Sequence, residues 1–103
     1  MIKSSYEYIR KNFKRHDFDY DELCRESGFA SSYFRESFRK VYHMTPNQAL
    51  NKLRMEYASE LILTGQYKIS EIADACGYEN VYYFSNLFKK HFGVCPSAYK
   101  FEK

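Results

Sequence analysis

Apolar side chains along the chain recur three and four residues apart, and no stretch alternates strictly for five or more residues. That period belongs to helices that bury one face, and both prolines stand where helices begin, so the pattern predicts an all-α protein of about seven helices. A first helix runs over about 4–14, with Tyr6, Ile9, Arg10 and Phe13 along one side. Asp19 followed by Glu22 is a capping-box pattern that opens a short helix through Leu23 and Cys24, and Gly28 supplies the left-handed residue that ends it. The next helix, about 31–42, presents Phe34, Ser37, Phe38 and Val41 on one face. "TPNQ" at 45–48 then gives an N-cap threonine, a proline at the first helical position and a capping glutamine. The long helix that follows passes through Leu50, Leu53, Tyr57, Leu61 and Ile62 to Thr64-Gly65. Ser70 opens a short helix ended by Gly77, Asn80 opens a helix to about 92, and Pro96 starts a last one to about 101.

The same pattern occurs twice. "ELCRESGF" (22–29) matches "EIADACGY" (71–78) at an offset of 49, and "FRESFRKVYHMTP" (34–46) matches "FSNLFKKHFGVCP" (84–96) at an offset of 50. Each unit is a short helix, a tight turn with glycine, a longer helix ending in a basic pair, and an element started by proline. The units cover about 19–43 and 69–93, and the long helix at about 45–64 joins them. A solenoid needs three or more units stacked directly, so two units on a connecting helix form a two-lobed molecule instead. Short helix, turn and longer helix is helix-turn-helix anatomy, whose second helix can lie in a DNA major groove. At 1.5 Å per residue the connecting helix spans about 30 Å, close to the roughly 34 Å between successive major-groove faces on one side of B-DNA.

Helix geometry also sorts the aromatics of "GYENVYYFSNLFKKHFG" (77–93). Positions 84, 87, 88 and 91 share one face with 92 close by, whereas 81, 82, 85 and 89 lie opposite. Phe84, Leu87, Phe88 and Phe92 are therefore core candidates. Tyr82 points outward and Tyr83 stands at the boundary.

Composition narrows the functional classes. With 103 residues and 45% hydrophobic the chain is one domain able to bury a core. No apolar run approaches the roughly 18 residues of a membrane span and the N-terminus lacks a signal peptide's apolar stretch, so the expected location is cytoplasmic, without membrane contact. A net charge of +3 decides little alone. Cys24, Cys76 and Cys95 lack CxxC spacing and His16, His43 and His91 lack helical pairing, so no metal or cofactor is expected and the cysteines are assigned to packing. A Gly-rich phosphate loop and a nucleophile–base pair are also missing from the sequence, which argues against an enzyme.

"KISEIADACGYENVYYFSNLFKKHFGVCPSAYK" resembles the C-terminal signature of the AraC/XylS family of bacterial transcription regulators, and "LRMEYASELILTG" resembles that family's linker helix. The Ile-Ala pair, Gly-Tyr, Tyr-Phe, Phe-Lys-Lys and Pro-x-x-Tyr elements stand in order and spacing, and the likeness covers about residues 18–100. "YEYIRKNF" is similar, more loosely, to the helix preceding this module in the subgroup fused behind two-component receiver domains. The resemblance implies double-stranded DNA as partner, contact with RNA polymerase, a monomeric isolated domain whose dimerisation would come from an N-terminal domain, and a place as the output domain of a response regulator.

It also implies which residues meet DNA. Base-reading positions are Ser32, Arg35 and Glu36 in the first unit and Val81, Tyr82, Ser85 and Asn86 in the second. Arg35 is suited to guanine O6 and N7 together and Glu36 to cytosine N4, while Val81 either touches a thymine methyl or leaves the second unit with little direct readout. Against these stand plainer roles: an intramolecular ion pair for Arg35, a solvated surface for Glu36, an ordinary exposed ring for Tyr82. Phosphate contact falls to Ser31 and Asn80 at helix N-termini, to the hydroxyls of Tyr33 and Tyr83, and to Arg39, Lys40, Lys89 and Lys90. The basic pairs would equally serve their own helix C-termini. His43 replaces the glycine found at position 93 and Cys95 replaces the capping Thr45, so both helix ends are expected to differ between units. The competing class is a helical protein-interaction module that buries exposed aromatics against a partner helix.

Overall fold

The computed structural model describes residues 2–28 and 30–99, with the backbone alone for residues 2–4, 20, 26, 27 and 31. Seven helices account for the regular structure of these residues: α1 (Ile2–Asn12), α2 (Tyr20–Ser27), α3 (Ser31–Tyr42), α4 (Pro46–Thr64), α5 (Ile69–Ala75), α6 (Val81–Phe92) and α7 (Pro96–Tyr99). Helices α2–α3 and α5–α6 are two helix-turn-helix pairs on either end of α4, with α1 added to the first and α7 to the second. The end of the last helix expected at 100–101 lies outside the described residues.

Local chemistry explains most of the boundaries. Thr45 Oγ1 accepts from the Gln48 N–H at 3.1 Å while Gln48 Oε1 accepts from the Thr45 N–H at 2.9 Å, a complete capping box with Pro46 just inside. Asp19 caps α2 by accepting from the Asp21 N–H at 2.9 Å. Helix α5 starts at Ile69, one residue before Ser70, because the Glu71 carboxylate meets the backbone N–H of Lys68 at 2.8 Å. Helix α1 ends at Asn12, whose side-chain amide donates to the Tyr8 carbonyl at 2.8 Å.

Two hydrophobic cores form, one per lobe. Ile9, Leu23, Cys24, Phe34, Phe38, Ala49 and Leu50 fill the first. Met55, Ala58, Ile62, Ile72, Ala73, Cys76, Tyr78, Phe84 and Phe88 fill the second. The internal repeat has a physical meaning here: Leu23 and Ile72, Phe34 and Phe84, and Phe38 and Phe88 are each at most 1% exposed. Phe29, the sequence counterpart of Tyr78, lies outside the described residues. Helix α4 serves both cores, with Ala49 and Leu50 in the first and Met55, Ala58 and Ile62 in the second.

Three expectations about burial change. Val41 is 53% exposed, and Tyr42 takes the inner place expected of it. The reason is the partner: Tyr6 of α1 lies 6.0 Å from Phe38 and 4.6 Å from Tyr42, pulling the buried stripe toward positions 38 and 42. The second lobe repeats this arrangement with Tyr99 of α7, 5.3 Å from Phe88 and 5.0 Å from Phe92. His91, the counterpart of Val41, is likewise exposed rather than on the buried face. Cys24 and Cys76 pack inside as expected, whereas Cys95 is exposed and fills no core.

Candidate nucleic-acid interface

Helix α6 begins at Asn80, whose Oδ1 accepts from the N–H groups of Tyr82 at 2.9 Å and Tyr83 at 3.0 Å. This cap occupies two of the donors that a phosphate would otherwise meet there, so Asn80 orders the helix start before it offers anything to a ligand. Tyr82 next to it is 79% exposed, the most open of the large apolar residues described. Tyr83 is 56% exposed and sets its ring edge-on to Tyr78 at 6.0 Å, which leaves the ring supported at the boundary. Asn86, Lys89 and Lys90 are exposed and Ser85 is half-buried. Val81 is half-buried and packs against the second core, so little of it remains for a base.

Helix α3 begins differently. Its N-cap is Ala30, which brings no side-chain acceptor to the first turn. The side chain of Ser31 lies outside the described residues. Ser32, Arg35 and Glu36 are exposed on the first two turns, with Tyr33 57% exposed beside them, and Arg39 and Lys40 are exposed in the last turn. Both long helices thus carry polar and aromatic groups at the front and cations at the back. Those cations also sit where a helix dipole favours positive charge.

The helix ends are more alike than the sequence predicts. Gly93 is left-handed at φ 86° and donates to the Lys89 carbonyl at 2.7 Å. His43 adopts the same conformation at φ 61° and donates to the Arg39 carbonyl at 2.8 Å. Histidine there carries the left-handed penalty of roughly 1–2 kcal/mol that glycine avoids.

Sequence reasoning passed over Arg54. It is 7% exposed at the middle of α4, donating from Nε to the Phe13 carbonyl at 2.6 Å and from Nη2 to the Arg15 carbonyl at 2.9 Å. Its guanidinium carbon lies 4.8 Å from the Tyr78 ring centre. Burial pushes the Tyr78 phenol above its ordinary pKa, with the Arg54 cation working against that. The available signal was its position: Leu50, Arg54, Ala58 and Ile62 are spaced by four, so one cation interrupts an otherwise apolar stripe.

The helix-turn-helix domain model of the AraC/XylS type matches residues 23–101. The chain belongs to the AraC/XylS helix-turn-helix family. These are DNA-binding domains of transcription regulators. The transcriptional activator RhaR of Escherichia coli K12 is 34% identical over 83 residues, which are 81% of this chain and 29% of RhaR. The C-terminal domain of AraT, a response regulator from Geobacillus stearothermophilus, is 30% identical with a TM-score of 0.92, over 99% of this chain and 84% of that one. The C-terminal domain of the response regulator yesN from Fusobacterium nucleatum is also 30% identical, with a TM-score of 0.89 over 95% of each chain. The chain spans less than a third of the length of the curated relatives it matches. Among the described residues no helix is long and apolar enough to cross a membrane.

Proposed function

We propose that this AraC/XylS domain reads duplex DNA with α3 and α6 in two successive major-groove segments. The observation that carries this reading is the doubling of one exposed surface. Each longer helix opens with exposed residues, Ser32, Tyr33, Arg35 and Glu36 in one and Tyr82, Tyr83 and Asn86 in the other, and closes with an exposed basic pair. Helix α4 separates the pairs in a molecule 42 Å long, enough to reach across the roughly 34 Å groove repeat. Arg35 is the base-reading arginine, and Tyr82, Ser85 and Asn86 meet bases or the groove wall. Lys89, Lys90, Arg39, Lys40 and the hydroxyls of Tyr33 and Tyr83 hold phosphates.

The likeness to the output domains of AraT and yesN supports a similar place for this chain, behind a receiver that supplies dimerisation in the cytoplasm. The isolated domain then binds as a monomer, and RNA polymerase is the partner for activation. A titration of the domain with duplex DNA at several salt concentrations tests the reading: affinity should fall steeply as salt rises. Binding that ignores salt would belong instead to an apolar groove for a partner helix.

A further inference from the structure

The apolar packing leaves a gap in the architecture. The two cores are separate clusters, and among the described residues only α4 contributes buried side chains to both. What ties one lobe to the other away from α4's own backbone is a group of contacts around Arg54. Its two donors close on the carbonyls of Phe13 and Arg15, in the segment between α1 and α2 of the first lobe. Its guanidinium carbon lies over the ring of Tyr78, in the turn between α5 and α6 of the second lobe. Gly77, at φ 97°, is pressed against the same place: a Cβ there would stand 2.9 Å from Arg54 Nη2 and 3.1 Å from the Arg15 carbonyl oxygen.

Neighbouring contacts converge on the same junction. The Tyr78 hydroxyl donates to Asn51 Oδ1 of α4 at 3.0 Å. His16 Nε2 lies 2.8 Å from the Asp74 carbonyl oxygen and 3.1 Å from its carboxylate. Lys14 Nζ sits 4.2 Å from the Tyr57 ring centre, and Phe13 meets that ring edge-on at 5.9 Å. The turn held in this way is the one that leads directly into α6. A planar guanidinium can satisfy two carbonyls in its plane while stacking on a ring, which a lysine ammonium cannot do.

We propose that Arg54 is the positioning residue that fixes α6 relative to α3, and so restricts the domain to one spacing between its two DNA segments. The inference rests on the two-segment reading above. One base pair added between the segments moves the second by about 3.4 Å and rotates it by about 35° around the duplex. A rigid pair of lobes cannot follow that displacement, whereas a loosened pair can. The spacing profile therefore reports the stiffness of the junction.

The experiment uses a duplex selected from a random pool by the wild-type domain, and variants of it with one or two base pairs added or removed between the footprinted segments. Wild-type affinity should fall about tenfold or more for a one-base-pair change, comparable to a mismatch within a site. Arg54→Lys, with a cooperative melt, should narrow that ratio to about threefold while base preferences inside each segment stay as they were. A folded Arg54→Lys protein that keeps the wild-type profile, or that weakens on all spacings alike, overturns the inference. Should Arg54→Lys fail to melt cooperatively, His16→Ala decides in its place: a relaxed profile supports the junction's role and an unchanged one overturns it. A wild-type footprint over a single segment would instead sink the two-segment reading itself.

Discussion

Phe88 and Tyr82 share one helix and have opposite fates, 0% and 79% exposed. Replacing Phe88 by alanine empties a site walled by Phe84, Phe92 and Tyr99, at a cost of roughly 3–5 kcal/mol. Tyr82→Ala should change stability by less than about 1 kcal/mol yet weaken DNA binding, so thermal melts and a binding titration on the two variants separate core from surface. A Tyr82→Ala protein that binds like its parent would remove that ring from the interface. For Arg35→Ala the expected loss is roughly 1–3 kcal/mol on the best site with relaxed preference at one base pair, and equal losses on specific and random DNA would end its base-reading role. The thiols differ as sharply: burial pushes Cys76 up to about 12, while Cys95 is exposed. A thiol reagent near neutral pH should label Cys95 in the native protein and reach Cys24 and Cys76 only on unfolding; rapid labelling of Cys76 would contradict its burial. The helical period alone placed Phe84, Phe88 and Tyr82. It could not place Val41 or His91, because residues at the edge of a stripe are buried or exposed according to which neighbour covers them. Arg54 was hidden for a related reason: its acceptors are backbone carbonyls about forty residues earlier in the chain, and no spacing rule points to them.

Among the elements, the caps were the most legible. Thr45, Pro46 and Gln48 form the box their order announces, and Asn80 caps α6 through two N–H groups. Asn80→Ala should therefore cost about 1 kcal/mol, read as a lower melting temperature. Helix α5 starts before the place Ser70 predicts, with Lys68 rather than Ser70 as N-cap, because the operative group is the Glu71 carboxylate reaching back to a backbone N–H. The end of α3 is the more informative departure. His43 takes a glycine's conformation without a glycine, so His43→Gly should relieve the left-handed penalty while adding freedom to the unfolded chain, for a net gain of about 0.5–1 kcal/mol. Chemical denaturation of the two proteins measures it, and a less stable glycine variant would mean that the imidazole itself contributes to the helix end.

For the whole molecule, the repeat carries most of the architecture. Two matched units with equivalent buried phenylalanines dictate two lobes, and a helix of 19 residues between them dictates their separation. Left unread was the way the ends of the chain complete the lobes, with Tyr6 and Tyr99 covering equivalent places on α3 and α6 from elements that share no sequence. At 1.5 Å per residue α4 spans about 28 Å, slightly under the groove repeat of roughly 34 Å, so a duplex engaged at both ends should bend toward the protein. The two units differ in their candidate reading residues, Arg35 and Glu36 against Ser85 and Asn86, so the bound sequence has no reason to be a palindrome. The most direct test is a methylation-protection and hydroxyl-radical footprint of the isolated domain on its selected duplex. The expected result is two protected major-groove segments one helical turn apart on the same face of an asymmetric site. Protection confined to one major groove would contradict reading by both helices.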